Sequence, residues 1–86
     1  MTWWRTEKTV RFAHCDPAGI VFYPRFFELM QEATEDFFRH AIGMPFEELV
    51  NRDGIVMPAV SLDVRWHAPS RLADTLAIDV GVARVG

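Results

Sequence analysis

Between residues 3 and 13 the chain alternates, with Thr6, Lys8, Val10 and Phe12 on one parity and the polar set Arg5, Glu7, Thr9 and Arg11 on the other. That period of two predicts a strand with one wetted face. The alternation stops at His14, and Asp16-Pro17-Ala18-Gly19 supplies turn chemistry: proline presets one φ and glycine is free to take a positive one. From Pro24 the period changes. Phe26, Met30, Ala33, Phe37 and Ala41, joined by Phe27, Leu29, Phe38 and Ile42, recur at three and four, predicting a helix over 24–42 that is apolar enough to be buried on more than one side. Pro24 suits its first turn, Arg39 and His40 its negative end, and Gly43 followed by Pro45 its stop. Phe46-Glu47-Glu48-Leu49-Val50 predicts a short helix over 45–51. Val60, Leu62, Val64 and Trp66 then alternate with Ser61, Asp63, Arg65 and His67, a second strand closed by Pro69. After a turn at 70–74, Leu76, Ile78, Val80 and Val82 mark a third.

One long helix among strands is an α+β class. Three strands make a sheet too narrow to cover so apolar a helix. The expectation is therefore a single domain over 1–86, incomplete at its C-terminal end or dependent on a partner. No repeat or linker divides it.

Composition narrows the function classes. Half of the 86 residues are hydrophobic and 24% are charged, as in a folded globular protein. The longest apolar run, Ile20 to Tyr23, is far below the roughly 20 residues of a membrane-spanning helix, so no membrane is expected. The first eight residues show neither an apolar core nor a cleavage site of a secretory leader, and a cytoplasmic location is the default expectation. Nine basic and twelve acidic residues give a net charge of -3 without a basic cluster, which argues against a nucleic-acid partner. The single cysteine, Cys15, makes no internal disulfide. No His, Cys or Asp pair has a recognised zinc spacing, so neither metal nor cofactor is expected. A chain this small, without staples, gains from association with a second copy.

The stretch from His14 to Phe27 carries the chemistry. It places the Asp16 carboxylate at the end of a strand, then a tight turn, then the start of the long helix. Tyr23 falls at the helix N-cap but cannot cap as Ser or Asp would, leaving the backbone N–H groups of Tyr23, Arg25 and Phe26 free to polarise a carbonyl. His14, two residues before Asp16, faces the same side in an extended strand and is a candidate to tune it. Cys15 then points away. On turn chemistry alone, Asp16 is more often a turn residue than a catalytic one.

The block from Asp16 to Pro24, Asp-Pro-Ala-Gly-Ile-Val followed by an aromatic and Tyr-Pro, closely resembles the signature of hot-dog fold thioesterases of the 4-hydroxybenzoyl-CoA thioesterase type. The similarity continues through the helix, through Pro58-Ala59-Val60-Ser61 and through Trp66 to Asp74. The resemblance implies an antiparallel sheet wrapped around one long central helix, a homodimer or homotetramer, and hydrolysis of an acyl-CoA thioester in which CoA is part of the substrate. It also implies that Asp16 acts as nucleophile or general base and that the Tyr23 N–H polarises the thioester carbonyl. Gly19, Pro24, Phe27 and Ser61 are the substrate-binding candidates. The alternative is a non-catalytic acyl-CoA or acyl-carrier binding module on the same scaffold. A hydratase is disfavoured, because the next histidine after Asp16 is His40, within the helix.

Overall fold

The computed structural model describes residues 2–85. Strands β1 (Trp4–Thr9) and β2 (Thr75–Val80) pair antiparallel, with Trp4 opposite Val80 and Thr9 opposite Thr75. The period-two pattern is realised: Trp4, Thr6 and Lys8 of β1, with Leu76, Ile78 and Val80 of β2, form the half-buried face. The outer face carries Arg5 opposite Asp79, joined by two hydrogen bonds in which Arg5 Nε and Nη2 donate to the carboxylate at 2.7 and 3.0 Å. Those bonds hold the Asp79 carboxyl below the usual carboxylate range and raise Arg5.

Helix α1 (Pro24–Phe37) lies against the inner face of this sheet. Pro24 stands at its first position, where a missing N–H costs nothing. Leu29 and Ala33, four apart, are fully buried, while Phe26, Phe27, Met30 and Phe37 are half-buried. The core comprises Val10, Val21, Leu29, Ala33 and Leu49, drawn from separate parts of the chain. Lys8 projects from β1 onto the helix, its Nζ 2.7 Å from Asp36 Oδ2 and 3.8 Å from Glu32 Oε1.

The helix predicted over 24–42 is α-helical only to Phe37. Residues Phe38–Ile42 form a π-turn, in which the Gly43 N–H donates to the Phe38 carbonyl. The spacing alone does not distinguish the two forms, and past the change Ala41 and Ile42, read as part of the apolar face, are exposed. Met44 N–H donates to the same carbonyl at 2.9 Å, and Gly43 takes φ +80°. Helix α2 (Phe46–Asn51) sends Leu49 into the core, and Arg39 pairs with Glu47 across the turn.

The strand predicted at Val60 to His67 is not formed. That segment has no regular structure and no strand partner, and Val60 is 95% exposed. Its alternation is genuine, yet a strand also needs an edge to bond to. The two-stranded sheet has outer edges, but among the described residues this segment pairs with neither of them. Phe12, expected inside with Val10, is 82% exposed, because the chain leaves β1 after Thr9 and turns through a single 3-10 turn at Phe12–His14.

Candidate active site

Residues 14–22 form a hairpin. Asp16 N–H donates to the Ile20 carbonyl at 2.9 Å, Gly19 N–H to the Asp16 carbonyl at 3.0 Å, and Phe22 N–H to the His14 carbonyl at 2.9 Å. Cys15 bridges Val21 between them. The loop is three residues long, with Pro17 presetting its first φ and Gly19 at φ +79° closing it, a position that side chains other than glycine seldom occupy. The Asp16 Oδ1 accepts the Ala18 N–H at 2.8 Å, which fixes the carboxylate over its own turn. No second hydrogen bond to that carboxylate exists among the described residues, so Oδ2 retains its acceptor capacity.

This hairpin is held by the turn that precedes β2. Val21 N–H donates to the Ser70 carbonyl at 2.8 Å and Leu72 N–H to the Gly19 carbonyl at 3.1 Å, with Ile20 bridging Arg71. An apolar cleft of about 470 Å³ opens beside the loop, lined by Phe12, Cys15, Asp16, Pro17, Gly19 and Leu72. Neither Phe12 nor Leu72 is marked by the sequence pattern as a site residue. Only their proximity to Asp16 and to the Arg71–Asp74 turn could have pointed to them.

Tyr23 is the N-cap of α1 and makes no side-chain cap. Two of the three amides expected to be free are not. Arg25 N–H donates to the Phe22 carbonyl at 2.8 Å and Phe26 N–H to the Tyr23 carbonyl at 3.1 Å, because the helix begins with a tight i to i+3 turn that consumes its own first donors. Among the described residues, the Tyr23 N–H has no acceptor. Tyr23 lines a second cleft, of about 340 Å³, with Phe26, Trp66 and His67 on its walls. The structure thus brings Gly19 to Asp16 in one cleft and places Tyr23 in the other.

The remaining candidates are dispersed. Pro24 begins α1, and Phe27 packs edge-on against Trp66 with ring centroids 6.1 Å apart. Ser61 is exposed in the unpaired segment. His14 does not lie in an extended strand. It ends the 3-10 turn, and its Nδ1 accepts the Arg11 N–H at 2.9 Å, so the geometry that aligned it with Asp16 is replaced by a local capping contact.

A long helix on an antiparallel sheet, with a carboxylate on a tight hairpin just before the helix start, defines an α+β scaffold of one class. The Thioesterase superfamily profile matches residues 18–86, and the chain belongs to that family; its fold is the hot-dog. It is 30% identical over 74 residues to the 4-hydroxybenzoyl-CoA thioesterase of Pseudomonas sp. (strain CBS-3), covering 85% of this chain and 52% of that protein. It is 25% identical over 79 residues to the 1,4-dihydroxy-2-naphthoyl-CoA hydrolase of Thermosynechococcus vestitus, covering 92% of this chain and 53% of that one. The solved structure of a gentisyl-coenzyme A thioesterase superposes with a TM-score of 0.75 at 35% identity, over 84% of this chain and 57% of the other. The chain spans about half the length of the curated relatives it matches.

Proposed function

We propose that the protein hydrolyses an acyl-CoA thioester to a carboxylic acid and free CoA, with Asp16 as the reacting carboxylate. The observation that carries this reading is the Asp16 hairpin. Its backbone is fixed on both sides, one carboxylate oxygen is engaged by its own turn, and the side chain borders an apolar cleft. In the general-base route Asp16 takes a proton from water as the water oxygen attacks the thioester carbon. In the nucleophilic route the carboxylate oxygen attacks, the carbon–sulfur bond breaks to release CoA as its thiolate and leave a mixed anhydride, and water then hydrolyses that anhydride and restores the carboxylate. In both, the carbonyl oxygen gains charge, which the unpaired Tyr23 N–H at the positive end of α1 stabilises. Collapse of that charged intermediate breaks the carbon–sulfur bond; the CoA thiolate takes up the proton held by Asp16 in the general-base route and one from solvent in the nucleophilic route.

The acyl group in this reading is a hydroxylated aromatic acid. The relatives named above act, by their names, on 4-hydroxybenzoyl, dihydroxynaphthoyl and gentisyl thioesters, and the Phe12 ring beside Asp16 offers a flat apolar wall. In this reading the working form is a homodimer or homotetramer in which a neighbouring copy completes the clefts beside Asp16 and Tyr23 into a single site. The exposed Val60, Leu62 and Trp66 provide apolar surface for that association.

The test is thiol release by the full-length protein from a panel of benzoyl-, hydroxybenzoyl- and straight-chain acyl-CoA esters. Turnover fastest with the hydroxyaryl esters is expected. Saturable binding of these esters without released thiol would instead establish a binding module.

A further inference from the structure

The turn from Arg71 to Asp74 is the mount on which the Asp16 hairpin sits. Asp74 Oδ2 accepts the Arg71 N–H at 2.8 Å and Asp74 N–H donates to the Arg71 carbonyl at 3.0 Å, closing the turn twice. Its inner side reaches the residue that follows β1. Val10, 1% exposed, donates its N–H to the Asp74 carbonyl at 2.8 Å and accepts the Ala73 N–H at 2.9 Å. Two residues, Ala73 and Asp74, therefore face one, a β-bulge whose first position is left-handed. Ala73 holds that position at φ +72°. The other side of the turn reaches the hairpin through Leu72 N–H on the Gly19 carbonyl and Ser70 carbonyl on the Val21 N–H. Gly19 in turn bonds the Asp16 carbonyl.

Resting on the reading of Asp16 as the reacting carboxylate, we infer that Asp74 is a positioning residue: its side chain holds a strained turn closed so that the Asp16 loop keeps its place between β1 and α1. Without a closed turn nothing in the sequence favours φ +72° at an alanine. The Leu72 N–H then moves, and with it the Gly19 peptide. Displacements of about an ångström at a reacting group cost on the order of 100-fold in rate. What the turn requires of residue 74 is an acceptor at the aspartate length, not a charge. Asparagine supplies it and glutamate does not.

The test uses Asp74→Asn, Asp74→Glu and Asp74→Ala in the full-length protein, with kcat, KM and the folded fraction measured on an accepted acyl-CoA. Asp74→Asn is expected to stay within about twofold of the parent. Asp74→Glu and Asp74→Ala are expected to lose about 10- to 100-fold in kcat, with KM within about twofold and the midpoint of the pH–kcat profile unmoved. If Asp74→Ala fails to fold, the Asn and Glu pair decides alone. Full activity in Asp74→Glu, or activity lost in Asp74→Asn, or a fall that only tracks the folded fraction, overturns the inference. Asp16→Asn, run alongside, separates the two claims. If it is inactive while Asp74→Glu is fully active, only the mount fails; if it turns over normally, the reading of Asp16 fails with it.

Discussion

Ala73 and Gly43 are opposite cases of one backbone rule. Both sit at positive φ, +72° and +80°. A left-handed alanine costs roughly 1–2 kcal/mol, and a glycine there gives back part of that gain through the larger freedom it loses on folding. Ala73→Gly is accordingly expected to raise stability by about 1 kcal/mol, seen as a higher urea midpoint with unchanged slope. Gly43→Ala is expected to lower it by about the same amount. A Cβ at Gly43 meets no atom within 4 Å, so its whole cost is conformational. The Asp16 loop was legible at this scale because every residue of Asp-Pro-Ala-Gly has its own reason to be in a turn. Ala73 was not, because alanine carries no turn signal; the bulge against Val10 imposes its conformation from outside.

Among the elements, β1, α1, α2 and β2 follow from period and punctuation, whereas residues 60–67 do not form the strand their alternation predicts. Periodicity tells which side chains share a face. It is silent about whether the segment lies along a neighbouring edge and pairs with it. The same limit hides the change from α to π geometry at Phe38. The contact that ties β1 to α1 is also polar and unmarked by the pattern: Lys8 sits on the inward parity and finds Asp36 at 2.7 Å. The hydrogen bond to Asp36, more than the Coulomb attraction, raises the Lys8 pKa above the usual lysine value. Because the folded value is the higher one, the pair's stabilisation is complete below the unfolded pKa and disappears as pH rises through the folded one. Stability measured by urea titration should therefore fall above about pH 10.4 by an amount on the order of 1 kcal/mol, and Asp36→Asn should remove that part of the decline. An identical alkaline profile in Asp36→Asn would show that the pair contributes nothing.

The whole molecule joins a helix end with a spare amide, a hairpin with a spare carboxylate oxygen and a large exposed apolar surface around Val56, Val60 and Leu62. No described helix is long and apolar enough to cross a membrane. The proposed association would cover that surface; sedimentation of the full-length protein should give a dimer or tetramer, and a monomer at micromolar concentration would contradict it. The central claim is that Asp16 performs the chemistry. Asn at this position keeps an oxygen for the Ala18 N–H and so preserves the turn, but it can neither take a proton from water nor attack as a carboxylate. The most direct test is kcat and Tm of Asp16→Asn in the full-length protein on an accepted hydroxyaryl-CoA. A loss on the order of 10² to 10⁴ in kcat with Tm nearly unchanged is the expected result, and undiminished turnover with a shifted Tm would show that Asp16 is only a turn residue.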